Sequence, residues 1–196
     1  MRVSWETFEQ ELRDCSRCGL CRQRTNIVPG EGDPKARLMF IGEGPGADED
    51  RLGRPFVGRS GQLLDRMIAA IGLERGETYI CNVVKCRPPG NRNPAPEEAA
   101  ACLPFLRQQV ALVRPRVIVL LGKVAARYTL NEEIFITRDH GRWFDRRGTW
   151  MMPTFHPSAL LRDPAQKRAA WEDFQKVRAK LDEIGAAGRG EEHADE

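Results

Sequence analysis

Four short runs, "RLMFIG" (37–42), "TYICNVV" (78–84), "RVIVLLG" (116–122) and "TWMMPTF" (149–155), are apolar almost throughout. A strand with one face in water alternates apolar and polar residues. A run that does not alternate needs cover on both faces. The intervening segments carry helical periodicity: "GQLLDRMIAAIG" (61–72), ended by Gly72; "EEAAACLPFLRQQVALV", opened by Pro96 with acids in its first turn; "KVAARYTL"; and a last helix from about Pro164 to Leu181. A further short helix over 4–14 has Ser4 as its cap and Trp5, Phe8 and Leu12 on one face. Strands alternating with helices predict an α/β fold: three layers, α/β/α, around a central, mostly parallel four-stranded sheet. Pro104 implies a kink or break in its helix, and Pro153 an irregular or edge position for the fourth strand. Residues 1–185 read as a single domain. Residues 186–196 read as a polar tail, expected to be disordered.

The bulk numbers narrow the function classes. A chain of 196 residues with 41% hydrophobic content can build one sizeable core. No apolar stretch reaches about 18 residues, and "MRVSWETFEQELRD" lacks the apolar centre of a signal peptide, so the expectation is a cytoplasmic protein with no membrane partner. The net charge of +3 includes four acids at the C-terminus, Glu191, Glu192, Asp195 and Glu196. Without them, residues 1–190 carry +7. A basic body suits a polyanionic partner, although a mixed, solvated surface explains it as well.

Six cysteines in a reducing compartment point to a metal or cluster rather than to disulfides. Cys15 and Cys18 form C-x2-C, Cys86 ends the second strand, and Cys102 lies sixteen residues on. Four thiolates from three segments suit an iron–sulfur cluster better than zinc, whose sites usually show two tight pairs. Cys21 is a rival ligand, and Cys81, inside an apolar strand, reads as a core residue.

In parallel sheets, ligands bind beyond the carboxyl ends of the strands. There lie "IGEGPG", "CNVVKC", "LLGK" and "TFHPSALLR". Gly42, Gly44 and Ala47 match the loose G-x-G-x-x-G/A pattern of a dinucleotide site, but Asp48, Glu49 and Asp50 crowd the place of a pyrophosphate. Asn82 and His156 are single polar residues at two strand ends. Each alone is explained by a turn or a cap; together at one rim they outline a pocket. "FVGRSGQLL" (56–64) offers backbone N–H groups to a phosphate, or is simply a capped helix start.

The segments "GEGPGADED", "GRPFVGRSGQLLD", "NVVKCRPPGNRNP" and "HPSALLR" resemble the family 4 uracil-DNA glycosylases of bacteria and archaea, in order and spacing, from about Cys15 to Leu181. The resemblance implies an enzyme that flips uracil out of single- or double-stranded DNA and hydrolyses its N-glycosidic bond, leaving an abasic site for base excision repair. It implies a 4Fe–4S cluster on Cys15, Cys18, Cys86 and Cys102. It implies that Phe56 stacks on the extruded base, Asn82 reads the pyrimidine edge, and the backbone around Glu43 and Gly44 completes recognition. His156 would face the carbonyl oxygen that gathers leaving-group charge, and Glu43 would sit near the oxocarbenium-like sugar. Ser60, Ser158 and Arg162 would meet the DNA, and Leu160 would fill the gap in the stack. A relative with covalent uracil capture carries a basic "KRRIH"-type insertion, absent here after Lys85. Family 1 enzymes carry an acid at the third position of "GQDPYH", where this chain has Gly44; stabilisation of the departing uracil anion is therefore expected to supply much of the rate.

The alternatives are a glycosylase of broader base choice, with Glu49 or a neighbour meeting the thymine 5-methyl, and an iron–sulfur nucleic-acid-binding protein without glycosylase activity. The second would not need Asn82 and His156 at the rim. A monomer is expected.

Overall fold

The computed structural model describes residues 4–191, with side-chain surroundings described to residue 186. The strands are β1 (Glu31–Gly32), β2 (Leu38–Gly42), β3 (Tyr79–Asn82), β4 (Val117–Leu121), β5 (Phe144–Arg146) and β6 (Thr149–Thr154). They form one sheet in the order β1-β3-β2-β4-β6-β5. Neighbours among β3, β2, β4 and β6 are parallel, and β1 and β5 are antiparallel at the edges. The four apolar runs are thus the four parallel strands. The expected sheet of four is corrected to six, because β1 and β5 are two and three residues long and carry no apolar run for a periodicity argument to find.

Continuous apolar character has its physical counterpart in cover on both faces. In β2, Leu38 and Phe40 face one layer and Met39 and Ile41 the other; in β4, Val117 and Val119 oppose Ile118 and Leu120. One layer comprises α1 (Trp5–Arg13), α4 (Pro96–Val113) and α5 (Gly122–Leu130), bringing Phe8, Leu12, Phe105 and Ala126 to the core. The opposite layer comprises α3 (Arg59–Ala70) and α8 (Lys167–Glu191), bringing Leu64, Ile68, Phe174 and Val177. Ser4 caps α1 as expected, its hydroxyl accepting from the Thr7 N–H at 3.1 Å.

Three local expectations are revised. Helix α4 runs unbroken through Pro104, because buried Phe105, Leu106 and Gln109 tie the following turns to the core. Pro153 pairs with Leu120 inside the sheet rather than at its edge. Its carbonyl accepts from the Gly141 N–H on the side where β5 has already ended, so its missing N–H leaves no ladder bond unmade. Helix α8 continues past Leu181 to Glu191. Arg37 donates to the Leu181 carbonyl at 3.1 Å and Ile184 packs on the core, anchoring the turns that Gly185 would otherwise weaken. Residues 192–196 of the expected tail lie outside the described residues. Among the described residues, no helix is long and apolar enough to cross a membrane.

Candidate active site

The four parallel strands end at one rim, where a cleft of about 730 Å³ opens. Short helices α2 (Ala47–Leu52), α6 (Ile136–Asp139) and α7 (Pro157–Arg162) border it. Glu43, Gly44, Phe56, Ser60, Asn82, His156, Ser158 and Arg162 all line this cleft. Residues up to 119 positions apart in sequence therefore meet because the topology ends their strands together.

Two side chains define its floor. Asn82, the last residue of β3, is 2% exposed, and its Oδ1 has no hydrogen-bond partner among the described residues. A buried amide oxygen without a partner costs about 1–3 kcal/mol, so its persistence points to a ligand that supplies a donor. Phe56 lies beside it, with its ring tilted 33° to the His156 imidazole at 5.7 Å between centroids. Gly42 makes the pairing possible: a Cβ there would stand 2.4 Å from Asn82 Oδ1 and 2.5 Å from Phe56 Cζ. Phe56 has φ 51°, a left-handed backbone that a bulky residue adopts only when its surroundings enforce it.

His156 caps α7. Its Nδ1 accepts from the Ser158 backbone N–H at 3.1 Å and lies 2.8 Å from the Ser158 hydroxyl. An N–H can only donate, so Nδ1 is an acceptor and the ring proton sits on Nε2. Burial, with Arg162 nearby, pushes the imidazole pKa down to about 4. The ring is thus neutral near pH 7 and presents a single N–H. Gly122, with φ 91°, lets β4 turn into α5 close behind it; a Cβ there would meet His156 Cβ at 3.0 Å.

The acids after the glycine-rich turn are occupied. Asp50 is buried and accepts from the backbone N–H groups of Thr25 and Asn26. Glu49 accepts from the N–H groups of Gly46, Val57 and Gly58 at 2.9–3.1 Å. That engagement makes Glu49 a support of the Phe56 turn and leaves it a poor sensor of a 5-methyl group. Glu43 is half-buried; desolvation raises its pKa and the Arg162 charge opposes that rise. Gly44 packs on Val84, whose Cγ2 a Cβ would meet at 2.8 Å, so no side chain fits at that position without movement. Arg59, Lys123 and Arg162 line the cleft without a carboxylate partner among the described residues, whereas Arg92 is paired with Glu98.

A second, smaller cavity is lined by Cys15, Cys18, Cys21, Cys86 and Cys102, with Arg24 and Lys85 at its wall. Arg24 donates to Cys86 Sγ at 3.5 Å and the Lys85 N–H to Cys102 Sγ at 3.3 Å. Burial raises the pKa of Cys18 and Cys102, and that of Cys86 to about 11. Among the described residues, no three His, Cys, Asp or Glu side chains sit close enough to hold one metal ion. Cys81 is fully buried in β3 and away from this cavity, as its apolar neighbours predict.

The model of the "Uracil DNA glycosylase superfamily" matches residues 29–175. A type-4 uracil-DNA glycosylase of Sulfurisphaera tokodaii is 45% identical over 89% of this chain and 84% of its own length. One from Thermotoga maritima is 44% identical over 92% of this chain and 96% of its own, and one from Archaeoglobus fulgidus 41% over 89% and 92%. The chain belongs to the type-4 uracil-DNA glycosylase family.

Within this type-4 chain, one residue of the expected set is not where its role would put it. Leu160 is 1% exposed, packed with Leu63, Phe155 and Ala170. In this conformation it is a core residue, because α7 turns its apolar face onto α3 and α8. Leu161, one residue on, is only partly buried against the same cluster. Sequence reasoning did not single out Arg75, which holds the Phe56 turn, Lys123, at the start of α5, or the aromatic Phe135, just before α6.

Proposed function

We infer that this chain removes uracil from DNA by hydrolysing the bond between the base and its sugar. Asn82 Oδ1 is the observation that carries the reading: buried, unpartnered, and set beside an aromatic ring at the cleft floor. Uracil supplies what that atom lacks. Its N3–H donates to Oδ1, and its neighbouring carbonyl accepts from the Asn82 amide. Phe56 stacks on the ring, which an extruded base exposes on both faces.

His156 acts on the leaving group. As the C1′–N1 bond breaks, electrons move onto the base, and its O2 gathers negative charge. The Nε2–H of neutral His156 donates to that oxygen, where such a donor is worth about 10²–10³ in rate. The Glu43 carboxylate stands near the cationic sugar, an interaction that strengthens only as charge develops there. Water then adds its oxygen to C1′, and the proton it sheds balances the uracil anion. Gly44 supplies backbone alone, so transition-state electrostatics, not a strong base at that position, accounts for the rate.

Arg59, Lys123 and Arg162 at the rim, with the Ser60 and Ser158 hydroxyls, suit the phosphates flanking the flipped nucleotide. Binding is expected to weaken with salt. The donor chemistry suits a 4Fe–4S cluster on Cys15, Cys18, Cys86 and Cys102: the four thiols line one small cavity, with N–H donors to two of the sulfurs. A bound cluster supplies charge that stabilises thiolates otherwise kept protonated by burial. The protein's own part is to tie the loop after α1 to the β3–α4 loop that follows Asn82. A monomer working in the cytoplasm completes the reading.

The test is a panel of oligonucleotides holding one uracil, thymine, hypoxanthine or cytosine. Release of uracil alone is expected. Comparable release of thymine or hypoxanthine would favour the broader glycosylase.

A further inference from the structure

Phe56 cannot hold its backbone conformation alone. Its φ of 51° and its 6% exposure require a frame, and Arg75, nineteen residues on, supplies half of it. The Arg75 guanidinium has five N–H groups and every one is engaged. Nη1 donates to the Phe56 carbonyl at 3.1 Å and to Asp65 Oδ1 at 2.7 Å. Nη2 donates to the Pro55 carbonyl at 2.6 Å and to Glu31 Oε1 at 2.7 Å, and Nε reaches the same Glu31 oxygen at 3.0 Å. Glu49 supplies the other half by accepting from the N–H groups of Val57 and Gly58. Helix α3 closes on the turn so tightly that a Cβ on Gly61 would fall 1.8 Å from the Phe56 carbonyl oxygen.

We propose that Arg75 is a positioning residue for uracil recognition: it locks the strained turn so that the Phe56 ring is set for stacking before the base arrives. This rests on the uracil reading above. A surface ion pair with Glu31 and Asp65 would by itself contribute little. The two bonds to backbone carbonyls of consecutive residues are what a planar fork provides and an ammonium does not.

The experiment is a double-mutant cycle in single-turnover excision with the full chain, using Arg75→Gln, Phe56→Ala and the pair. Affinity for DNA bearing a stable abasic analogue, which has no base to stack, is measured alongside. Arg75→Gln is expected to lower excision by about tenfold to a hundredfold, as for a displaced recognition group, with abasic-analogue affinity within twofold of wild type. In the Phe56→Ala background the same change is expected to cost nothing further. Arg75→Lys keeps a charge against Glu31 and is expected to lose excision nearly as much, which keeps the test open if the glutamine variant folds poorly. Additive losses in the cycle, or a lysine variant with wild-type excision, would overturn the proposal. A wild-type protein that releases no uracil would overturn the reading beneath it instead.

A separate observation concerns the strand beside the flipped nucleotide. Phe135 is 43% exposed, one of three large apolar side chains so exposed among the described residues. The next two residues, Ile136 and Thr137, line the cleft. Lys123 Nζ, another cleft group, stands 5.5 Å from the Phe135 ring centre, and the Arg138 guanidinium 4.9 Å. Buried Asp139 holds the Phe135 N–H at 2.9 Å and grips Arg138 and Arg142, so the ring stands on a fixed segment. The geometry points to Phe135 as a stacking platform for a base flanking the uracil, flanked by cations for its phosphate. The probe is a single-stranded uracil oligonucleotide with 2-aminopurine next to the uracil. Phe135→Ala is expected to raise the half-saturating concentration about tenfold and to remove the fluorescence quenching seen on binding, with the maximal rate unchanged; Phe135→Trp is expected to restore both. Unchanged binding and quenching in Phe135→Ala would overturn it.

Discussion

Replacing His156 by alanine removes the single N–H that the proposed reaction directs at the leaving group. Because Nδ1 is committed to the Ser158 N–H, Nε2–H is the one donor the ring offers and alanine supplies none. The chemical step is expected to fall by about 10²–10³, the scale of losing one preorganised donor to a developing anion. DNA affinity is expected to change little, since the ring is half-buried beneath the rim cations. A pH series sharpens the argument. With a pKa of about 4, His156 is neutral at every pH above roughly 5.5. The single-turnover rate is therefore expected to show no break near pH 6.5, where an ordinary histidine titrates. Stability follows the opposite variable. The folded-state pKa lies below the unfolded value of 6.5, so the unfolded chain binds the extra proton between them. The contribution is complete above pH 6.5 and is lost as pH falls toward 4, by about 3 kcal/mol over that interval. Single-turnover excision with saturating enzyme, a binding titration and thermal melts at several pH values check each part. A His156→Ala protein with wild-type turnover, or a rate that breaks at pH 6.5 in wild type but not in the variant, would refute the neutral-donor argument.

Gly42→Ala places a methyl 2.4 Å from Asn82 Oδ1 and 2.5 Å from Phe56 Cζ; it is expected to destabilise by about 1–3 kcal/mol and to lower excision at least tenfold, read by melting and kinetics. Leu160→Ala, emptying a core site, is expected to cost about 2–5 kcal/mol of stability and similar activity on duplex and single strands. Leu161→Ala is expected to leave stability nearly intact while weakening excision from duplex alone, because only duplex has a gap to fill. Purified protein is expected to be brown with about four iron atoms per chain, and Cys102→Ala to bleach it while Cys21→Ala does not; iron assay and visible absorption decide.

The four central strands were legible because burial on both faces leaves short apolar runs, rich in β-branched residues and bounded by turn signals. The strands β1 and β5 were not, since a two- or three-residue edge pairing rests on backbone hydrogen bonds that any side chain permits. Among site residues, Asn82 and His156 stood out as polar groups at strand ends, and the structure brings both into the cleft. Leu160 shows the limit: a one-residue shift around a helix exchanges core for surface, and a six-residue helix has too little periodicity to fix the phase. Arg75 and Glu49 were invisible as supports because the groups they hold in the Phe56 turn are backbone carbonyls and amides, which leave no mark on sequence. The acids of "GADED" were read from sequence as crowding a pyrophosphate. Their actual work, holding the loops around Phe56 and Thr25, required coordinates.

The central claim is that the cleft around Asn82, Phe56 and His156 takes an extruded uracil and cuts it from its sugar. Incubating the purified chain with an oligonucleotide containing one uracil, and quantifying free base and alkali-labile sites together, tests it most directly. The account predicts equal amounts of free uracil and abasic sites from both single strands and duplex, sharply reduced by Asn82→Ala. Absence of free uracil, or an Asn82→Ala protein that releases it at the wild-type rate, would contradict it.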